Sequence, residues 1–567
     1  MRSRVQQSTS RNMFVATLIV VSIITLWLRT GVPAYIIGDA KYDDELFVRL
    51  ARSLVAGQWL GPFDNLTLVK GVGYPAFLAL SFVVGVPLKI AETLVYLTAS
   101  AVCACVVARW SRSYVTAAAL FCGLSLNPVL WHNELARVIR EGLYVSLSLL
   151  AVLLAVVLVR PVRRSRRCDV ALMISTAVIW AWFWLTREEG LWLVPSLVLV
   201  AGYAVHGWWR ARASEDRHQA TTPLLLFSFT TIGAATLVGF VALANLVSYG
   251  SFNTVEVKSR PFERAYGALY RVKPARFQRL VVFPIDVRAA VYKVSPAARE
   301  LQPAFEGAIG EGWRRAGCTT TPSVACNEIL AGWFQWALRD AVATAGYYRD
   351  AATAAGFYTR LADEVDRACD DGQLTCLPQR ASLAPPFRFD YATGALQRIP
   401  LLAEVYWSES LHVGPQNHSV AMPAQPTVGS ERIVRMADFV GSAKPTETEA
   451  RWSRLASERR NQAITKVIGR YSSIYAIVLV VLVMAAPFGF CLLIVRRRQP
   501  TDEALIVLAA ACWLAVAMRA TLLLYLDVTA IPSINVLYAS PASPLLVVAT
   551  VVSSYRLGNL FKPQRSA

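Results

Sequence analysis

GDAKYDDELFVRLARSLVAGQWLGPFDNLTLVKGVGYP, residues 38–75, lies between two strongly apolar stretches and carries more chemistry than a connector needs. Three acids, Asp39, Asp43 and Asp44, precede Leu46, Phe47, Leu50, Ala51, Leu54 and Val55, apolar residues at helical spacing. The pattern predicts an amphipathic helix on a membrane surface, with its acids at the N-terminal end. Lys70, Gly71, Gly73, Tyr74 and Pro75 follow, and the chain then returns to apolar sequence. Carboxylates and a lysine held at a bilayer surface suit a reaction between a lipid-carried anion and a water-side acceptor, with Tyr74 among the groups that orient the acceptor.

The rest of the chain explains why this loop lies at a membrane. At 567 residues, 55% hydrophobic and 17% charged, with its apolar residues in long blocks, it is a polytopic membrane protein. A net charge of +19 would point to nucleic acid in a soluble chain. Here much of the arginine sits in short clusters beside apolar blocks, which is topology bias. No basic stripe or aromatic platform accompanies it, so nucleic acid is excluded as a partner.

Residues 1–12 are basic and polar, and residues 14–28 almost wholly apolar. A cleaved signal peptide is the rival reading. The small-residue cleavage pattern is weak, and the helix is expected to stay as an anchor, with the N-terminus cytoplasmic. Residues 76–88 are too short for a comfortable span and predict a partly embedded helix. Spans are then expected over 91–108, 115–130, 143–159, 170–185, 191–208 and 223–247, and again over 475–495, 504–526 and 534–554. Every connection predicted to face inward carries arginine, including Arg109 and Arg112, the run from Arg160 to Arg167, and Arg496 to Arg498. The expectation is a mainly α fold with about ten transmembrane helices, both termini cytoplasmic, in the cytoplasmic membrane.

Three regions follow: an N-terminal transmembrane module (1–248) with its first outer loop at 31–75, an extracytoplasmic soluble domain (249–470), and C-terminal transmembrane helices with a cytoplasmic tail (471–567). The middle region reads as mainly helical. Ser295-Pro296 predicts the start of a helical stretch that Gly317 ends. Residues 327–367 carry WFQWAL, YYRDAATAAGFY and LADEVDRA at helical spacing, and residues 446–471 predict a charged helix leading into the next span. Pro385-Pro386 and the pair Pro423 and Pro426 mark irregular joins. Cys318, Cys326, Cys369 and Cys376 form two close pairs in a compartment expected to be oxidising. Cys318–Cys326 and Cys369–Cys376 are preferred among three connectivities, with zinc binding as the rival.

Asp43 and Asp44 are the sharpest candidates for chemistry. One reading makes them acids that favour the helix dipole and hydration. The other makes one carboxylate a general base toward an attacking hydroxyl or amine. Adjacent acids on a helix diverge, so one faces the site and the other is structural. Lys70, Arg137 and Arg140 lie outside, against the inward bias of basic residues, and each asks for an anionic partner. A phosphate from a headgroup or polyprenyl carrier fits, with a generic lipid contact as the alternative. Glu134, Glu141, Arg187, Glu188 and Glu189 occupy two short outer turns that converge on the same side, either pairing with one another or orienting the acceptor. These acids leave room for a divalent cation, but no metal site is assigned. Asn65-Leu66-Thr67 and Asn417-His418-Ser419 fit the N-glycosylation pattern. No P-loop, dinucleotide fingerprint, HExxH or GxSxG in a supporting context is present, which argues against ATP-driven transport and secreted hydrolases.

A basic N-terminus, one span, an acidic pair, an amphipathic helix and K-x-x-x-Y-P opening the next apolar run resemble the C-type membrane glycosyltransferases. The loop is most similar to the bacterial branch containing the lipid A aminoarabinose transferases, related to the protein O-mannosyltransferases. Asp43-Asp44, Phe47, Gly57, Trp59 and Lys70 occupy the places of that family's loop motif. TREEGLWLVP is similar to an outer-turn motif of such enzymes. The second acid here is Asp rather than Glu, and Gly71-Val72-Gly73 follows Lys70 where the family has proline. A C-terminal R-Y-x-x-P-x-x-P motif has a counterpart at Leu537-Tyr538-Ala539-Ser540-Pro541-Ala542-Ser543-Pro544, with leucine in place of arginine. The soluble domain sits in mid-chain rather than at the C-terminus. The resemblance implies that Asp43 is the catalytic base, that Lys70 touches the carrier phosphate, and that the reaction inverts the sugar.

The resulting expectation is transfer of a sugar from a polyprenyl-phosphate-linked donor to an envelope glycan, lipid or protein, at the extracytoplasmic face. A transporter or flippase of lipid-linked glycans would instead predict ionisable residues deep in spans and repeat symmetry. A noncatalytic envelope scaffold would tolerate loss of Asp43 and Asp44.

Overall fold

An apolar run crossing a bilayer must satisfy its own backbone, so such runs are dictated to be helices. The computed structural model describes residues 2–32, 34, 36, 40–160, 162, 164–210, 217–321, 326–385, 388–409, 430–441, 451–496 and 500–557. Among them, 10 helices are long and apolar enough to cross a membrane. They are Ser8–Thr30, Leu88–Ser111, Tyr114–Trp131, Glu141–Val159, Arg166–Thr186, Gly190–Arg210, Thr222–Tyr249, Arg459–Val495, Thr501–Thr529 and Val536–Ser554. The protein is a mainly α, multi-pass membrane protein. No strand occurs among the described residues, only isolated bridges joining Val272 to Cys376 and Val281 to Leu330.

Burial sorts the spans into centre and periphery. The most apolar parts of Glu141–Val159 and Val536–Ser554 are 78% and 89% buried, which places these two helices inside the bundle. Thr222–Tyr249 is 17% buried over its apolar window and turns Phe229, Ile232, Phe240 and Val247 outward, a face suited to lipid. The Gly73–Val84 helix is too short to span, as expected. It stops at Gly85, whose φ of 73° reverses the chain into Leu88–Ser111.

The non-spanning domain has its own core. Phe262, Phe283, Phe305, Phe334, Leu338 and Phe357 pack together from helices including Arg260–Arg271, Ala331–Thr344 and Ala351–Asp370. Ser295 caps Pro296–Glu300 by accepting from the Ala298 N–H. The stretch from Ser295 is three helices rather than one, Pro296–Glu300, Gln302–Glu306 and Ala308–Thr320. Proline opens each of the first two, and Gly317 lies inside the third instead of ending it. Nor is YYRDAATAAGFY helical from its start: after Gly346, at φ 84°, residues 347–350 are irregular, and Asp350 caps the new helix by accepting from the Thr353 N–H. Cys318 is bonded to Cys326 and Cys369 to Cys376. The Lys273 N–H donates to Thr375 O at 2.9 Å, which ties the second bridge to the end of the Arg260–Arg271 helix.

Residues 249–470 do not form a single unit. The Ser430–Val440 helix packs Ile433, Met436 and Val440 into the core of the spanning bundle, and Phe439 stacks on Phe82 at 4.4 Å. The charged helix expected before the next span is continuous with it in Arg451–Val495, and residues 446–450 lie outside the described residues. Backbone bonds hold the domain to the bundle, from Gly332 N to Ala530 O at 2.8 Å and from Glu256 N to Leu68 O at 2.7 Å.

Candidate functional site

The sequence that follows Asp43 folds as the helix Asp44–Val55. Its apolar face is covered by protein rather than left for a membrane surface: Leu46, Phe47, Leu50 and Ala51 are buried, with Phe47 edge-on to Tyr74 at 5.0 Å. Asp43 sits at the N-cap position but caps nothing, so its carboxylate reaches Lys70 instead. Asp44 points the other way, fully buried, and accepts from Arg137 at 2.6 Å. The adjacent acids therefore have separate partners. Asp39 lies outside the described residues.

Lys70 is buried between rings, its Nζ 4.5 Å from the Phe47 centroid and 5.5 Å from that of Trp336. Asp43 keeps 41% of its side chain accessible although protein atoms surround it closely, the geometry of a crevice wall. Burial alone would push the Asp43 carboxyl up. Attraction and a hydrogen bond from Lys70, with Arg137 and Arg140 farther off, outweigh it and hold the group below its ordinary 3.8. Burial draws the Lys70 ammonium below its ordinary 10.5, and Asp43 opposes that only in part.

The two inter-span turns converge on this crevice. Arg140 donates to Glu188 at 2.5 Å, and the other oxygen of Glu188 accepts from the Gly71 N–H at 2.9 Å. Arg187 pairs with Glu141 and donates to Glu189 at 2.6 Å. Burial would raise the Glu189 carboxyl, but Arg187 and Arg140 hold it well below the usual range. Glu134 lies near enough to Arg137 to act on its charge. Tyr74 does not join the cluster. It is fully buried, and its hydroxyl donates to Glu92 at 3.0 Å because its helix turns that face into the bundle.

Three further groups complete the crevice. Lys258, from the non-spanning domain, sits 4.4 Å over the Trp184 ring and within the field of Glu188 and Glu189. Trp336 arrives from the same domain. Arg519, buried within Thr501–Thr529, donates from Nε to Tyr538 O at 2.9 Å and lies 5.4 Å over Trp192. Thus a guanidinium from another helix meets the Tyr538 segment where the sequence has Leu537. Arg519 had a signal, since an arginine inside an apolar span is costly unless it serves a site. Lys258 and Trp336 had none, because long-range packing alone brings them here.

Glycine explains the departure after Lys70. A Cβ at Gly71 would collide with the Leu185 carbonyl, and one at Gly73 would meet Thr186. The backbone must pass this close for the Gly71 N–H to reach Glu188. We expect Gly71→Ala to cost about 1–3 kcal/mol through overpacking and to lower activity by about 10²-fold through misplacement of Lys70. Melting temperature and turnover at matched protein amount check this.

Asn65 donates to Asp340 at 2.8 Å and Thr67 is buried, so this tripeptide is folded into the structure rather than offered as a glycan acceptor. Residues 417–419 lie outside the described residues. Among the described residues no three His, Cys, Asp or Glu side chains gather as a metal site, and the acids of the crevice face guanidinium or ammonium groups.

With Arg519 and Lys258 included, the cations Lys70, Arg137, Arg140, Arg187, Lys258 and Arg519 balance the carboxylates Asp43, Asp44, Glu134, Glu141, Glu188 and Glu189 around the crevice. The crevice cations can hold an anion beside two solvent-reached carboxylates, Asp43 and Glu189. Comparison with known protein families, characterised proteins and solved structures finds no match to this chain.

Proposed function

We propose that the protein is an inverting glycosyltransferase that moves a sugar from a polyprenyl-phosphate donor to an envelope acceptor at the extracytoplasmic face of the cytoplasmic membrane. The observation that carries this reading is the Asp43–Lys70 pair, an accessible carboxylate against a buried ammonium in a crevice lined by arginine and lysine as well as by acids. Arginine at the inward-reading connections supports the orientation, with both termini cytoplasmic.

In this mechanism the donor phosphate enters the crevice and takes Lys70 from Asp43. Freed of its partner, Asp43 accepts the proton of the acceptor hydroxyl as the oxygen attacks the anomeric carbon from the face opposite the phosphate. The bond from that carbon to the phosphate oxygen breaks, and its electron pair leaves with the carrier phosphate. Lys70 and the Arg140 side of the crevice stabilise that developing charge. Arg137 neutralises Asp44 and fixes the helix that presents Asp43.

The state of Asp43 gives a pH signature. A carboxyl held below 3.8 is ionised at neutral pH and loses its basic form only as pH falls through that lower value. Hence kcat/KM, which reports free enzyme, is expected to show no Asp43 limb above about pH 4. In kcat the limb moves upward, because bound phosphate removes the lysine that depressed the group. An acid limb near pH 6 in kcat/KM would contradict the assignment. Binding gives a second test. Polyprenyl monophosphate should raise the melting temperature of the purified protein, and Lys70→Met should abolish that rise. An equal rise in both proteins would remove Lys70 from the phosphate site.

A further inference from the structure

Between the first inter-span loop and the non-spanning domain lies a recess of about 620 Å³, within the roughly 300–1,000 Å³ typical of small-molecule sites. Tyr42 and Asn65 wall it on the loop side, and Trp313 and Asp340 on the domain side. The Tyr42 and Trp313 rings meet at 5.0 Å with a 45° tilt and form an aromatic corner. Asp340 is committed to holding the walls. One oxygen accepts from Asn65 at 2.8 Å, the other from the Tyr42 hydroxyl and from Trp313 Nε1 at 3.2 Å. Its acceptor oxygens are thereby occupied by three neutral donors, and Lys41 is the other charged group of the lining, so the lining carries no net charge.

Such a lining does not select an anion or a cation. Aromatic faces set beside amide and hydroxyl groups suit a molecule with apolar C–H faces and hydroxyl edges, which is the surface of an uncharged sugar ring. The recess lies beside the chemistry without opening into it. Tyr42 directly precedes Asp43, and Trp336 lies 5.1 Å from Tyr42 and 5.5 Å from Lys70 Nζ, so one layer of rings separates the recess from the ion pair. We propose that this recess binds the acceptor, a neutral saccharide chain, which passes over the rim of rings to bring its terminal hydroxyl to Asp43. The fate of that hydroxyl rests on the transferase reading, while saccharide binding in the recess does not.

Gly312 lines the recess, and a Cβ there meets nothing within 4 Å, so Gly312→Phe fills the space without displacing the fold. The test uses the full-length protein in nanodiscs, titrated with a panel of short neutral oligosaccharides and separately with polyprenyl monophosphate. One oligosaccharide class should bind the wild type, and both Gly312→Phe and Trp313→Ala should weaken it by about tenfold or more. Polyprenyl monophosphate should bind wild type and Gly312→Phe alike and be lost in Lys70→Met. Binding of no neutral oligosaccharide, or equal binding by wild type and Gly312→Phe, overturns the proposal, as does preference for a peptide. If oligosaccharide binding behaves as stated while polyprenyl monophosphate binds not even the wild type, the recess stands as a saccharide site and the transferase reading falls.

Discussion

Asparagine at position 43 is expected to lower sugar transfer by about 10²–10⁴-fold, the range for loss of a general base, with the fold and the protein amount unchanged. The substitution keeps a carbonyl oxygen where Lys70 donates, so the local geometry has little reason to move. Lys70 is already drawn toward its neutral form by burial, which limits the cost of losing the carboxylate charge. What disappears is the group able to take a proton at the crevice wall. Activity measured at matched yield and matched melting temperature isolates that loss. Near-normal activity would return Asp43 to a structural role and move attention to the crevice cations.

Removal of Arg137 is expected to act on stability rather than on substrate affinity. Asp44 is fully buried, and Arg137 neutralises it at 2.6 Å. Breaking a buried ion pair from one side leaves a charge in a low-dielectric site and costs about 3–5 kcal/mol. Arg137→Ala should therefore reduce folded yield and melting temperature sharply. Asp44→Asn combined with Arg137→Gln should restore most of both, since the pair then becomes two neutral amides that can hydrogen-bond. If Arg137→Ala instead folds normally and raises KM for the lipid-linked donor, the arginine binds phosphate and the pairing in this structure is incidental.

These expectations show which parts of the site a sequence can carry. The spans were legible because long apolar runs admit one structure in a bilayer, and their order follows. Asp43 and Lys70 were legible as a pair of interest because they lie within one short loop. Arg137 and Arg140 were read as cations asking for a phosphate, and here they pair with Asp44 and Glu188, on other elements. Tyr74 was misplaced because K-x-x-x-Y-P fixes a helix start, not which face of that helix meets the crevice. The break at Gly346 was hidden by aromatic residues on both sides that keep helical spacing across it. Lys258, Trp336 and the Asp340 recess depend on how the domain docks over the loop, which local spacing does not encode.

The most direct test compares carrier-linked sugars and envelope glycans by mass spectrometry in a wild-type strain, a deletion strain and a strain carrying Asp43→Asn at matched protein level. The account predicts that Asp43→Asn reproduces the deletion, with one sugar missing from an envelope polymer and its polyprenyl-linked form accumulated. A defect confined to the deletion strain, with Asp43→Asn resembling wild type, would contradict it.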